Sequence, residues 1–570
     1  DANFLAMGGD SLSAARLALA LGQEWGVAIS GAQVLSAPSV TELAALAQAA
    51  MDAAAGRKGD VPGPGDATPE PDLPDGERTA PLLLAQEGIW FVEQFEGTGA
   101  AYNIHSVTRL KGPLDVERLQ RGLRALLARH PNLRTSFHAT DTEPEQRVIA
   151  PTQAIDRFSL RHIEIAAGED EAACVATLIA VPFDLSRAPL LRACLLRTSH
   201  NEHVLVIVAH HIVVDGWSMT LLHRDLAQLY ASDDPTLPPL PLAPGEHARA
   251  QREQFERGDM QAALDYWRDK LSGVQTLELP TDTQRLPGAV GMAGATQGFR
   301  IEPAVAIAVR ALAGQHQVTL FTALLAAFQA LLLRYTGQTD IAIGVPVGGR
   351  DDPRLLEAVG QFVNTVVVRA GLQGQPGFAV LLRRDRATLF EALTHQRMPF
   401  ERLVAELSPN RDPGRNPLYQ VSFSLENFAH RRLALDGLQS ERLGVHSGGA
   451  KFDLSLTIAE AGVDAHLEAE IEYRTDLFAA RSVARMASHL CSLLAAVVAE
   501  AERPVTRLPL MDAAEQQRML VTWNGASTPA ALDHQSVHAL FRSQARRTPA
   551  AVAVRLGGDE MRYGQLEALS

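Results

Sequence analysis

Residues 56–77 of this 570-residue chain read GRKGDVPGPGDATPEPDLPDGE. Glycine, proline and acidic side chains fill the stretch, and almost nothing in it can be buried, so it cannot join a hydrophobic core. The chain must fold separately on either side. Treated as a flexible coil, the linker over residues 51–80 would span roughly 30 Å on average, and more where proline stiffens it. Its composition suits a passive spacer, and equally a tether that carries a small domain between docking sites.

Ahead of the linker, residues 1–50 read as a small helical unit. Ser11 can cap a helix whose apolar positions Leu12, Ala15 and Leu19 recur at three- and four-residue steps. A second helix is expected after Pro38, starting near Ser39 or Thr41 with Leu43 and Leu46 on one face. Behind the linker, residues 81–507 alternate helix and strand patterns. Helices are expected over Leu114–Arg129, Met219–Ala231, Thr319–Tyr335 and Phe378–Leu393, and strands over His203–Ala209, Asp340–Val345 and Phe362–Val368. A stretch of this length exceeds one hydrophobic core and implies an α/β body of two lobes. We divide it at about residue 255, into 81–255 and 256–507, and find no sequence repeat between the halves. After Leu508 the pattern changes again, with a helix expected over Val537–Arg546 and a strand over Val552–Leu556. Residue 1 stands ten residues before Ser11, and an apolar pattern (Met561, Tyr563, Leu566, Leu569) has barely begun at the far end. The chain therefore reads as a slice of something larger.

Charge and composition exclude some roles. Lys and Arg total 52 against 66 Asp and Glu, a formal net charge of -14 with no basic block, which argues against a nucleic-acid surface. No uninterrupted run of 18 apolar residues occurs, so no membrane span is expected. The first ten residues lack a signal peptide's basic start and apolar core. Cys174, Cys194 and Cys491 are few, odd in number and far apart, which fits buried thiols in a reducing cytoplasm rather than disulfides or a metal site.

Two segments carry chemistry. In Met7-Gly8-Gly9-Asp10-Ser11-Leu12-Ser13 the glycines allow a tight turn that presents Ser11 at a helix start, where a phosphate would be favoured. An ordinary N-cap serine fits the same residues. A hydrolase elbow does not, because position 13 is Ser rather than Gly. The second segment is a buried strand running into His210-His211-Ile-Val-Val-Asp215-Gly216-Trp217-Ser218, with Ser218 expected to cap the helix that follows. Neighbouring strand residues point to opposite faces, so the two histidines cannot share one task or one metal ion. One can face a cavity as an acid–base group while the other packs inside; two structural histidines are the plainer alternative. Gly344-Val-Pro-Val-Gly-Gly-Arg350 lacks the Gly-Lys-Ser/Thr ending of a phosphate-binding loop, and we assign it no role.

Taken together, the motifs resemble a carrier–condensation unit of a nonribosomal peptide synthetase over nearly the whole chain. Asp1-Ala-Asn-Phe4 through Gly8-Gly9-Asp10-Ser11-Leu12 is similar to the peptidyl-carrier motif. Leu84-Ala85-Gln86-Glu87-Gly88-Ile89-Trp90, then Arg129-His130-Pro131-Asn132-Leu133-Arg134-Thr135-Ser136-Phe137, then His210 to Gly216 follow the condensation motifs in order. Val359-Gly360-Gln361-Phe362-Val363-Asn364-Thr365, Met398-Pro399-Phe400-Glu401 and Arg415-Asn416-Pro417-Leu418 continue them. The family's Tyr-x-Asp-Tyr-Ala segment is missing near 245–255, where this chain has Gly-Glu-His-Ala-Arg-Ala-Gln-Arg-Glu-Gln-Phe. The carrier motif has Asp10 where His is commoner, a variant often found ahead of epimerisation domains. Trp523-Asn524 and Met561-Arg562-Tyr563-Gly564-Gln565-Leu566 resemble the opening of an adenylation domain.

The resemblance implies a helical carrier at 1–50 without its first helix, the linker, a condensation domain at 81–507 and a truncated adenylation start at 508–570. The condensation domain would have two chloramphenicol-acetyltransferase-like α/β lobes with the active site between them. Ser11 would carry 4′-phosphopantetheine, installed by a phosphopantetheinyl transferase, and hold the donor thioester. The amine of an aminoacyl thioester on a downstream carrier would attack it, forming an amide. Among the site residues, His211 would orient or deprotonate that amine, while His210 packs behind. Asp215 would hold the turn through an arginine, for which Arg134 is the candidate, with Trp217 and Ser218 in support. Gly216 would keep the channel clear. Partners would be peptidyl and aminoacyl thioesters and the neighbouring synthetase domains, in the cytoplasm, without nucleic acid, membrane or metal. An epimerase, or an inactive docking module that recruits enzymes, would share much of this pattern. The first usually lacks Gly-Trp after the aspartate and the second tends to lose the second histidine.

Overall fold

Strand order in this protein follows from which apolar runs must be covered on both faces. In the computed structural model the described residues are 17, 21, 34, 40–55, 78–95, 99–141, 143–166, 168–232, 236–242, 244–285, 291–350, 352–407, 414–426, 433–460, 466–524 and 536–570. Ser11 and the linker stretch 56–77 lie outside them. The chain divides into two units at Leu510 and Met511.

Before the linker, helix α1 (Val40–Ala55) buries Leu43 and Ala47. The expected partner of Leu43, Leu46, is exposed, because a step of four keeps Ala47 on Leu43's face better than a step of three keeps Leu46.

The first lobe opens with β1 (Arg78–Pro81) and α2 (Leu84–Phe95). It continues through β2 (Asn103–Lys111), α3 (Val116–Arg129), β3 (Thr135–His138), β4 (Glu145–Val148), β5 (Leu160–Glu164), α4 (Glu171–Ile179), β6 (Leu191–Ser199) and β7 (Glu202–His210). Helices α5 (Gly216–Ala231) and α6 (Pro244–Glu256) follow. Helix α3 begins where Asp115 accepts a bond from Arg118 N at 2.9 Å and buries Leu119, Leu123, Leu126 and Leu127. Strand β7 lies between β2 and β6, antiparallel to both. Its alternate residues therefore enter different cores. Leu205, Ile207 and Ala209 pack with α3 and α5, while Val204, Val206 and Val208 pack with Val175 and Ile179 of α4. Coverage on both faces explains the unbroken apolar run.

The segment that departs from the family pattern forms α6. Gln251 Oε1 accepts from Leu84 N at 3.0 Å, Arg249 donates to Thr79 O at 2.9 Å, and Arg252 pairs with Glu87. Polar bonds to β1 and α2 hold this helix in place.

The second lobe contains α7 (Gln261–Leu271), β8 (Gly294–Ile301), α8 (Pro303–Gln315), α9 (Leu320–Thr336), β9 (Asp340–Val347), β10 (Asn364–Gly371), α10 (Phe378–Thr394) and α11 (Phe400–Leu407). Then come β11 (Val421–Glu426), β12 (Gln439–Arg442), β13 (Leu454–Glu460), β14 (Leu467–Arg474) and α12 (Ala480–Ala499). Its sheet runs β10-β9-β11-β13-β14-β8. Strand β12 leaves this lobe and pairs with β2 on the edge of the first sheet, Gln439 opposite Lys111 and Arg442 opposite Thr108. Leu433 and Leu435 enter the first lobe's core with it. A division at residue 255 therefore does not hold for residues 433–445.

Helix α12 is long and apolar enough, at 20 residues and mean hydropathy 1.5, to cross a membrane by length and composition. It instead lays Val483, Met486, Leu490, Leu493, Leu494 and Val497 into the second lobe's core. The three cysteines are free thiols and only half-buried. In the second unit, helix Val537–Arg547, the strand pair Val552–Leu556 and Asp559–Arg562, and helix Tyr563–Leu569 stand close to the sequence expectation.

Candidate active site

Strand β7 ends by delivering the two histidines to different surroundings. His210 is buried, and its Nδ1 accepts from Ile212 N at 3.2 Å. That assigns the ring proton to Nε2, which faces Glu93 Oε1 of α2 at 3.4 Å. Burial pulls the His210 pKa down, opposed by Glu93. His211 turns the other way. Its backbone N–H donates to Tyr102 O at 2.8 Å, and its Nδ1 lies 2.9 Å from Val214 O. A carbonyl only accepts, so Nδ1 carries the proton and Nε2 presents a lone pair. The residue as a whole is half-buried. The protein packed round it still removes most of its hydration, and with the nearby Lys451 charge this brings the pKa down to about 3. His211 is therefore a neutral acceptor near pH 7. A proton moved fully onto it would be held weakly.

The turn after the histidines is built round Asp215, which is fully buried. Arg350 Nη2 donates to its two oxygens at 2.9 and 3.0 Å. Ser218 N donates to Oδ1 at 2.7 Å and Phe362 N to Oδ2 at 3.2 Å. Asp215 is thus the N-cap of α5, and Ser218 is its third residue rather than the cap. Ser218 Oγ stands 2.7 Å from Asp215 Oδ1 and 2.8 Å from Gly360 O, and it accepts from Gly360 N at 2.9 Å. Trp217 Nε1 donates to Leu356 O at 2.8 Å. These bonds clamp the first lobe's turn onto the loop between β9 and β10 of the second. Gly216 is exposed, and an added Cβ there would meet nothing within 4 Å.

The expected Arg134–Asp215 contact does not form. Arg134 is buried and donates to Ile149 O instead, and Arg350 takes the place expected of it. The segment Gly344–Arg350, to which we gave no role, therefore supplies the arginine. Gly349 has φ +61, and a Cβ there would stand 1.8 Å from Phe362 O. Only glycine lets the chain pass so close and aim Arg350 inward. Tyr102, Glu93 and Lys451 were also missed. They carry no spacing signature; Lys451 lies between Ala450 and Phe452, three residues ahead of β13. A small recess shares Leu355, Ala358 and Phe362 with the Arg350 cluster, and His211 is not among the residues that line it. Among the described residues no group of three or more His, Cys, Asp or Glu could hold a metal ion.

A two-lobed α/β protein with a His-His-x-x-x-Asp turn clamped between its lobes is thereby defined, and comparison with known proteins places it. The condensation-domain model matches residues 76–520, and the chain belongs to that family. The phosphopantetheine attachment site model matches residues 1–47, so a covalent 4′-phosphopantetheine is this chain's cofactor. Chondramide synthase of Chondromyces crocatus is 40% identical over 510 residues, covering 88% of this chain and 13% of that protein. Phosphinothricin tripeptide synthetase of Streptomyces viridochromogenes is 36% identical over 579 residues, covering 99% of this chain and 48% of that protein. The chain thus spans less than half the length of these relatives. Among solved structures, the X-domain from teicoplanin biosynthesis superposes with TM-score 0.70 at 26% identity, over 76% of this chain and 97% of that one. A four-domain nonribosomal peptide synthetase bound to AMP and glycine superposes with TM-score 0.73 at 24% identity, over 87% and 39%.

Proposed function

We propose that this chain forms peptide bonds between carrier-bound thioesters, and that His211 receives the attacking amine. The observation that carries the reading is the His211 tautomer: with Nδ1 held on Val214 O, Nε2 offers a fixed lone pair at the end of the central strand. We assign residues 1–50 to a carrier with a helical bundle, 51–80 to its linker, 81–507 to the condensation domain and 508–570 to the start of an adenylation domain. Ser11 holds the phosphopantetheine, whose thiol supplies an activated acyl group on a long arm. The open space at Gly216 leaves room for such an arm to pass.

The amine approaches with one N–H directed at His211 Nε2, which aims its own lone pair at the donor carbonyl. The C–N bond forms and the C–S bond breaks. The amine's surplus proton ends on the departing thiolate. A conjugate acid of pKa about 3 makes His211 an orienting acceptor more than a base that keeps the proton. Holding two reactants in line supplies much of the acceleration available to such a reaction. Asp215 and Arg350 act by fixing the turn. The implied partners are the neighbouring carriers and a phosphopantetheinyl transferase.

The test loads Ser11 with an acylated arm, adds an aminoacyl acceptor carrier and follows products by mass spectrometry. Dipeptidyl thioester on the acceptor, lost in Ser11→Ala because no arm is attached, is the expected result. A donor recovered only as its epimer, or unchanged thioesters on both carriers, refutes the reading.

A further inference from the structure

The second lobe places one cation against the histidine pair. Lys451 Nζ sits 4.5 Å from the centre of the Tyr102 ring, and that ring lies 6.4 Å from the His211 ring and 6.2 Å from the His210 ring. Tyr102 also accepts the His211 backbone N–H. On the other side, Asn416 Nδ2 donates to Lys451 O at 2.6 Å, so the Arg415-Asn416-Pro417-Leu418 motif fixes the lysine's backbone. The groups facing the ammonium are Glu93 from α2, Glu472 from β14 and the two histidines from β7. His446 lies behind Glu472 at 3.3 Å.

We propose that Lys451 is a positioning residue for this site: seated on Tyr102, its charge keeps the amine bound at His211 unprotonated. The inference rests on the reading of His211 as the amine's acceptor. An ammonium cannot attack a thioester, because its lone pair is occupied. A fixed cation across the site disfavours that form and favours the neutral nucleophile. Tyr102 holds the cation by its ring face, so no carboxylate needs to contact the ammonium and cancel its field. The direction agrees with His211, which Lys451 also lowers. Burial brings Lys451 itself down to about 8, which leaves it charged at neutral pH and discharges it as the pH rises further.

The experiment compares wild type, Lys451→Met and Lys451→Arg by two readouts. The first is the His211 ring titration by nitrogen-15 NMR on the full chain, which needs no turnover. The second is the pH–rate profile of condensation with a soluble aminoacyl thioester as acceptor. Lys451→Met should move the His211 titration up by about one unit, and the acid limb of the rate profile by a similar amount. Near neutral pH it should lose about tenfold in rate, with Lys451→Arg restoring most of both. Should Lys451→Met fail to fold, Tyr102→Leu removes the seat and should shift both readouts the same way, while Tyr102→Phe leaves them in place. An unmoved His211 titration in Lys451→Met, or a moved titration with an unmoved rate profile, overturns the proposal. Condensation at wild-type rate by His211→Ala would instead refute the role of His211, whatever the titrations show.

Discussion

Removing the Asp215 carboxylate should destabilise the protein far more than removing its partner Arg350. In Asp215→Ala the Arg350 guanidinium stays buried with the carbonyls of Leu355 and Ala358 and the Ser218 hydroxyl, and its charge is no longer matched. A buried ion so stranded costs about 3–5 kcal/mol. Loss of the cap on Ser218 N contributes about 1 kcal/mol of that total. In Arg350→Met the carboxylate keeps three donors, Ser218 N, Ser218 Oγ and Phe362 N, so its charge remains solvated by the protein. We expect about 2 kcal/mol there, and a double variant that loses clearly less than the sum of the two. Asp215→Asn, which keeps the cap but not the charge, should fall between wild type and Asp215→Ala. The assay is urea unfolding followed by tryptophan fluorescence, beside thermal melting, where Asp215→Ala should lower Tm by about 3–6 °C. Condensation should fall in proportion to folded protein. Should Asp215→Ala melt within about 2 °C of wild type yet fail to condense, Asp215 acts in the chemistry and the structural argument fails.

His211→Ala should lose roughly 10²–10⁴ in condensation rate while its melting curve stays in place. His210→Ala, which removes the acceptor of the buried Ile212 N–H, should instead lower stability by about 1 kcal/mol or more in the same urea assay. Asp385 is buried on α10, and burial raises its pKa to about 8; the Gln329 amide, with its nitrogen turned toward it, lies 2.7 and 3.1 Å away. Its folded pKa lies above the unfolded value, so the stabilisation is complete below about pH 4 and is lost as the pH climbs through about 8. Asp385→Asn should flatten that fall in urea-unfolding series run from pH 5 to pH 8.5; an unchanged slope would show Asp385 already ionised in the folded state.

The layers of this fold were legible wherever covering dictated the pattern. The run His203–Ala209 is apolar throughout because β7 is enclosed on both faces, and it was read as a strand without its neighbours being known. The helix expected over Thr319–Tyr335 agrees with α9, which the structure shows capped by Thr319 and ended by Gly337 at φ +71. The two histidines are a case between: β7 ends at His210 and His211 already lies in the turn, so the two-residue period of a strand reaches only the first of them. Arg350 was not legible. Its 135-residue separation from Asp215 leaves no local pattern, and the Gly-Gly ahead of it was weighed only against phosphate binding. The same holds for Leu46 on a smaller scale, where two apolar positions offer a helix face and only packing chooses between them.

The placement of Lys451 beside His211 follows from one crossing strand. Strand β12 abandons its own lobe to pair with β2, and β2 pairs on its other edge with β7, which ends at His210. The chain leaving Arg442 therefore starts two strands from the histidines, and only a short connection separates it from Lys451. That connection is itself held: Leu443 N donates to Val107 O at 2.9 Å, and His105 Nε2 bonds Val445 O at 2.7 Å. Beyond Lys451, β13 returns to the second lobe's sheet between β11 and β14. The lysine thus sits where the chain passes from one sheet to the other, anchored on both sides by backbone pairing. A rigid joint at that point keeps the ammonium on Tyr102 at a constant distance from His211. A lysine on a free loop could reach the same spot, but its charge would wander, and the field at the reacting amine would wander with it.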